Sequence, residues 1–201
     1  MAGPVSPLGG YYYDLEYTMF DYINKTENQL DKLILGLPYY GYDWPVENEI
    51  INSETTGFGV AKVYSEAELM SNQYGYNYSG ESHSSWFSYN ANSWYQCWYD
   101  DSLSLSSKYE YVKELNINGI GIWALGYDEG HDELWGAIYD QFTSSMIGDL
   151  NSDNQIDIFD IILLVSIILE EETFYNETAD INNDGIINII DVIYMVTIII
   201  D

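Results

Sequence analysis

Apolar and polar positions alternate along this chain in ways that mark out a short list of elements. Residues 13–27 carry Leu15, Met19 and Ile23 four apart, the spacing of one face of an amphipathic helix. Leu33–Tyr40 is a nearly unbroken apolar run closed by Pro38, which predicts a buried strand. Residues 45–60 hold Pro45, Gly57 and Gly59 and predict a loop. Ser65-Glu66-Ala67-Glu68 fits a capping box, in which Ser65 and Glu68 would satisfy each other's free amides, and opens a short helix through Met70. Residues 71–92, rich in Asn, Ser, Gly and Tyr, predict turns and short strands, and Trp94–Tyr99 an aromatic strand. Lys108–Leu115 reads as a helix, Gly119–Leu125 as a second buried strand, and Asp132–Phe142 as a helix burying Leu134, Ile138 and Phe142.

The order helix, strand, long insertion, helix, strand, helix is that of a parallel α/β protein. Parallel strands need cover on both faces and neighbours on both edges. Two strands supply neither, so this stretch reads as part of a sheet.

The pattern changes near Met146–Gly148. Residues 147–201 contain twelve Asp or Glu and no Lys or Arg, whereas all five Lys and all six Trp lie before them. Two copies of one spacing stand here, 31 residues apart. The first is Asp149, Asn151, Asp153, Asp157 and Asp160; the second is Asp180, Asn182, Asp184, Asn188 and Asp191. Each places side-chain oxygens at loop positions 1, 3, 5, 9 and 12, with the backbone carbonyls of Gln155 and Ile186 falling at position 7. Ca²⁺ takes six to eight oxygens, and alternate residues of a tight loop can turn inward together. The bland reading is an acidic solvated loop. Duplication in register favours two Ca²⁺ sites, and two ions would bring the segment from −12 to −8. An apolar run follows each loop, giving two loop-helix units. Ile161, Leu164, Val165 and Ile168 form one face of the first, and Val192, Met195, Val196 and Ile199 repeat it in the second. Neighbouring positions are apolar too. Either the two helices pack together and dock on the neighbouring module, or they present a partner surface.

The whole chain has a formal charge of −28 and no Arg, which argues against nucleic acid and anionic membrane surfaces as partners. The runs 161–169 and 192–200 are too short to span a bilayer. Residues 1–10 lack the basic start and apolar stretch of a signal peptide. The lone cysteine, Cys97, cannot form an internal disulfide, and neither it nor His83 has a supporting partner in sequence. Asp128, Glu129, His131, Asp132 and Glu133 cluster. A metal site is one reading; acids favoured by the dipole at a helix N-terminus is the simpler one.

Four segments carry a family resemblance, in family order. Ala2-Gly3-Pro4-Val5-Ser6-Pro7-Leu8 resembles the loop after the sixth barrel strand of glycoside hydrolase family 18, the chitinase-like family. Lys32-Leu33-Ile34-Leu35-Gly36-Leu37-Pro38-Tyr39-Tyr40-Gly41-Tyr42-Asp43-Trp44 resembles its seventh strand. Trp98-Tyr99-Asp100-Asp101, with Ser104 and Lys108, is similar to the lead into its seventh helix, and Gly119–Asp128 looks like its eighth strand. The resemblance implies an α/β fold over residues 1–145: the last part of a TIM (β/α)8 barrel of ~250 residues, with an insertion at about 50–105. It implies Trp123 as a sugar-subsite floor and places Tyr40, Tyr42 and Trp44 on the ligand-binding rim, with a core tryptophan as the rival reading of Trp123. The family's Asp-x-x-Asp-x-Asp-x-Glu run, whose Glu is the general acid of a substrate-assisted mechanism, does not occur here, nor does its Met-x-Tyr-Asp motif. The chain is therefore expected to be inactive alone, and Met1 to be a start inside a longer reading frame or a truncated gene.

Residues 147–201 resemble a dockerin, a small all-α calcium module of extracellular carbohydrate-active enzymes. Dockerins often carry Ser or Thr at loop positions 10 and 11; here those are Ile158-Phe159 and Ile189-Ile190. The resemblance implies Ca²⁺ as cofactor, a cohesin-like scaffold protein as partner, and an extracellular location. The parent function it implies is hydrolysis of β-1,4-linked N-acetylglucosamine polymers, with chitin, peptidoglycan and N-glycans all open. The rival is a non-catalytic carbohydrate-binding or scaffold-attachment protein.

Overall fold

The computed structural model describes residues 1–143, 146–151, 153, 155–169 and 177–200. In chain order the elements are α1 (Leu15–Lys25), β1 (Ile34–Pro38), β2 (Tyr40–Val46), β3 (Val60–Val63), α2 (Tyr64–Tyr74), β4 (Asn77–Ser79), β5 (Ser84–Asn90), β6 (Trp94–Tyr99), α3 (Ser102–Leu115), β7 (Gly119–Trp123), α4 (Asp132–Phe142), α5 (Ile158–Leu169) and α6 (Ile189–Ile200). Two compact units result, Met1–Phe142 and Thr143–Asp201.

In the first unit β1 and β7 pair in parallel, from Ile34 opposite Gly119 to Pro38 opposite Trp123. Alternation along the strands sends Leu35, Leu37 and Tyr39 into a core with Met19 of α1, Leu105, Tyr109 and Val112 of α3, and Leu134 and Ala137 of α4. The opposite face is bare: Ile34 is 61% exposed and Gly36 meets nothing that would stop a side chain. Helix α1 begins where Asp14 caps it by accepting the Tyr17 amide at 2.8 Å, and it buries Met19 as its spacing predicts.

The second sheet is antiparallel, in the order β3-β2-β6-β5-β4. It begins earlier than the apolar run suggests. Tyr40 opens β2 instead of closing the buried strand, and Pro45 sits inside β2 instead of in a loop. Pro45 is tolerated because β3 pairs only with Tyr40–Asp43, so its missing N–H faces no β3 partner. Gly41 is required where β2 meets β6: a Cβ there would lie 2.1 Å from the Trp98 carbonyl oxygen.

Three further expectations are corrected. Helix α2 starts at Tyr64, is preceded by Val63, and has no side-chain cap, so the Ser65–Glu68 box does not form; the Ser65 hydroxyl is buried without a hydrogen-bond partner. Helix α3 starts six residues earlier than the predicted Lys108, because Asp101 caps it through the Ser104 amide and hydroxyl. Phe142 is exposed at the end of α4, with its ring 5.5 Å from that of Tyr109.

In the second unit, α5 and α6 each follow an acidic loop. Leu164 and Met195 are buried against each other's helices and Ala179, with Ile156, Ile161, Ile168, Ile187 and Val192 packed round them. Val165 and Ile199, expected on the same packed faces, are exposed, as are Phe159, Ile162, Ile190 and Ile193.

Candidate functional site

The parallel strands end at an aromatic cluster. The Tyr39 amide donates to the Trp123 carbonyl at 2.7 Å, and the chain then turns into β2. Tyr40, Tyr42 and Trp44 occupy alternate positions of β2 and share one face. Tyr40 and Tyr42 meet edge-on at 6.2 Å, and Tyr42 stacks on Trp44 at 5.2 Å. The Trp44 indole N–H donates to the Gly3 carbonyl at 3.1 Å, and its ring lies so close to Gly59 that no side chain fits there.

A groove of about 460 Å³ lies beside this cluster, lined by Val5, Ser6, Pro7, Tyr13, Tyr40 and Trp123 among others. Trp123 is 69% exposed in this chain. Burial, with smaller contributions from the Tyr42 and Tyr127 phenols, holds the Tyr40 phenol above its usual pKa, so it remains a hydroxyl donor at neutral pH. Of the four aromatic residues picked out by sequence, Tyr40 and Trp123 share the groove. Tyr42 and Trp44 continue along β2 and are not among its lining residues.

Sequence reasoning missed a network behind the groove. Lys108 of α3 is fully buried and ion-paired with the buried Asp100. Its ammonium also donates to the Ser6 and Ser84 hydroxyls at 3.3 Å each, and Ser6 donates to Asp100 at 2.7 Å. Burial pulls the Lys108 pKa down, and the Asp100 carboxylate opposes that pull. The available signal was a lysine on the apolar face that runs Leu105, Lys108, Val112.

Asp128, His131 and Glu133 of the acidic cluster at the start of α4 are engaged in hydrogen bonds. Glu133 accepts from the Tyr64 hydroxyl at 3.0 Å and pairs with His131 Nδ1 at 2.7 Å; Asp128 accepts from the Trp135 indole at 2.9 Å. Burial works to raise the Glu133 pKa, but its backbone amide, His131 and Tyr64 together bring it below the usual value. His83 pairs with the Tyr78 hydroxyl at 3.3 Å. Cys97 is buried, and desolvation drives its thiol pKa up.

Among the described residues, the two acidic loops share a set of backbone-to-side-chain hydrogen bonds. Asp160 Oδ1 accepts the Leu150 and Asn151 amides at 2.8 and 3.1 Å, and Oδ2 the Asp157 amide at 2.8 Å. Asp191 Oδ1 accepts those of Ile181 and Asn182 at 2.9 and 3.2 Å, and Oδ2 that of Asn188 at 2.8 Å. Asp149 and Asn151 both accept the Asp153 amide, and Asp180 and Asn182 the Asp184 amide. Asp153 and Asp184 accept the amides of Gln155 and Ile186 in turn. Asp149, Asp160, Asp180 and Asp191 are buried, while Asp153 and Asp184 are exposed at the loop tips. Asp157 and Asn188 cap the helices by accepting the Phe159 and Ile190 amides at 2.8 Å each. The Ile186 carbonyl accepts from the Asn188 side-chain Nδ2 at 3.1 Å. Among the described residues, no three His, Cys, Asp or Glu side chains converge on one point. The chemistry of the donor set fits a hard cation, because every side chain of both series carries oxygen and four of the aspartates are buried.

Residues 147–197 match the family model for the dockerin type I domain, and residues 1–128 that for glycosyl hydrolases family 18. The cortical fragment-lytic enzyme of Bacillus subtilis is 28% identical over 144 residues, covering 69% of this chain and 30% of that protein. Mouse (Mus musculus) di-N-acetylchitobiase is 28% identical over 133 residues, covering 53% of this chain and 36% of that protein. The chain thus spans about a third of the length of these relatives. Human YKL-39, described as a pseudo-chitinase with retained chitooligosaccharide binding, has a TM-score of 0.62 at 20% identity, covering 72% of this chain and 46% of its own. A Cycas revoluta family 18 chitinase in complex with (GlcNAc)3 gives 0.61 at 18%, covering 71% and 42%. At such identities the structural likeness is one of fold. The family match over most of the chain, together with the motifs around Trp44 and Trp123, establishes that this protein belongs to glycosyl hydrolase family 18 and carries a type I dockerin domain at its C-terminal end.

Proposed function

We propose that residues 1–145 correspond to the last part of a family 18 (β/α)8 barrel, interrupted by the antiparallel sheet, and that they bind β-1,4-linked N-acetylglucosamine polymers. The barrel reading is supported by a parallel pair with helices packed on one face, as on a barrel's outer side. One observation carries the sugar reading: Trp123, at the C-terminal end of its strand, exposes its ring beside a groove that Tyr40 also lines. A flat ring suits the apolar face of a pyranose, and phenols and indoles supply donors. The dense negative charge selects against anionic polymers. Chitin-like polymers come first among the open substrates, since the names of the mouse relative and of human YKL-39 both point to chito-oligosaccharides.

In this reading the chain binds without hydrolysing, because no Asp-x-x-Asp-x-Asp-x-Glu run supplies a general acid. Binding without catalysis is what the description of human YKL-39 states for that protein. Residues 147–201 serve as an attachment module outside the cell. Asp149, Asn151, Asp153, Asp157 and Asp160 with the Gln155 carbonyl would hold one Ca²⁺; Asp180, Asn182, Asp184, Asn188 and Asp191 with the Ile186 carbonyl would hold a second. The ions would balance the buried carboxylates. The exposed apolar residues of α5 and α6 then meet a cohesin-like scaffold.

The test is co-sedimentation of the full chain with insoluble chitin and with cellulose, alongside a fluorogenic N-acetylglucosamine oligomer assay. Retention on chitin alone, with no turnover, is expected. Equal retention on cellulose, or turnover abolished by a substitution in this chain, would defeat the reading.

A further inference from the structure

The groove's wall includes the segment Val5–Pro7, and that segment is tied down from behind. Backbone hydrogen bonds hold it on both sides: Ala2 N to Ser53 O at 2.9 Å, Leu8 N to Ser82 O at 2.8 Å, and Leu15 N to Pro7 O at 2.9 Å. Between these ties the Ser6 hydroxyl enters the core. It donates to Asp100 and accepts from Lys108, residues 94 and 102 positions away in sequence. Lys108 reaches Ser84 of β5 as well, so one buried ammonium links the Val5–Pro7 segment, the antiparallel sheet and α3.

Stability alone does not account for such a pair. Apolar residues of similar volume in place of a buried ion pair are often neutral or stabilising. A charge pair with directional hydrogen bonds instead holds its partners at set distances and angles. A binding wall needs that, because ligand contacts hold their strength only when the supporting shell is rigid.

We infer that Asp100 and Lys108, acting through Ser6, are positioning residues that hold the Val5–Pro7 wall of the groove in register with Trp123 and Tyr40 for an N-acetylglucosamine oligomer. The inference rests on the sugar-binding reading of the groove. It assigns Ser6 a role through its buried hydroxyl, whose partners are Asp100 and Lys108.

The experiment titrates the full chain with the soluble N-acetylglucosamine tetramer by calorimetry and follows melting by tryptophan emission. Ser6→Ala removes the link and leaves the ion pair. The double variant Asp100→Leu/Lys108→Met leaves Ser6 in place and removes the pair without stranding a charge. Both are expected to bind about five- to tenfold more weakly, while the double variant melts within a few degrees of wild type. A purely structural role would move melting and leave Kd unchanged in the folded protein. Trp123→Ala separates the two levels of the argument. If it abolishes binding while Ser6→Ala and the double variant bind like wild type, the positioning role is wrong and the groove stands. If the wild type does not bind, or Trp123→Ala binds equally well, the groove reading falls and this inference with it.

Discussion

Replacing Lys108 alone by Met breaks a buried ion pair. The methionine fills much of the lysine volume, but it leaves the Asp100 carboxylate buried with Ser6 as its remaining hydrogen-bond donor. Removing one partner of a buried pair costs about 3–5 kcal/mol, mostly because the other charge is stranded. For a unit of this size each kcal/mol lowers Tm by roughly 3–5 °C, so a loss of about 9–25 °C is expected. All six tryptophans lie within residues 1–142, so tryptophan emission in the full chain reports this unit without contribution from the other. Adding Asp100→Leu removes the stranded carboxylate and should return Tm to within a few degrees of wild type. A single variant that melts within about 2 °C of wild type, or a double variant as unstable as the single, would refute the reasoning.

Asp43 gives a pH test. Burial raises its pKa from 3.8, the Tyr89 hydroxyl at 2.6 Å and Lys62 partly offset the rise, and Oδ1 has no hydrogen-bond partner. The folded state therefore holds the proton more tightly than the unfolded state, so stability is lost as pH rises from 3.8 through the raised value. Asp43→Asn should melt higher than wild type at pH 7 and equally below pH ~4; an advantage that persists in acid would contradict this. Cys97 should react with a chromogenic disulfide reagent only after denaturation, since the thiolate is the reactive form and burial suppresses it; fast labelling of the native protein would show that the site opens. Calcium should bind the full chain with two ions, and Asp184→Ala with one. At free calcium about a hundredfold above Kd, each site adds roughly 2.7 kcal/mol to the second unit. No calorimetric heat up to millimolar calcium, with helical signal unchanged in chelator, would sink the assignment.

How far the sequence led depended on whether an interaction is local. Met19 and Leu134 were legible because helical spacing alone places them inward. The acidic loops were legible as a register, and the matching hydrogen bonds of Asp160 and Asp191 follow from identical spacing. Strand β2 was misread because Pro45 is a breaker only where a partner strand needs its N–H, and sequence does not say where β3 ends. The Ser65 box failed because its helix starts at Tyr64, whose amide pairs with the Tyr39 carbonyl; a tertiary contact overrode a local signal. Lys108 was invisible as a network because Ser6, Ser84 and Asp100 approach it only after folding. Likewise the aromatic stripe of β2 was read as one rim, whereas only Tyr40 of its three rings lines the groove with Trp123.

The central claim is that the Trp123–Tyr40 groove holds an N-acetylglucosamine oligomer, and a saturation-transfer NMR titration of the full chain with the soluble tetramer tests it most directly. The account predicts transfer to the acetamido methyl and pyranose protons, saturable with tetramer, lost in Trp123→Ala and absent with a glucose tetramer. No transfer to the wild-type protein, or equal transfer to Trp123→Ala, would contradict it.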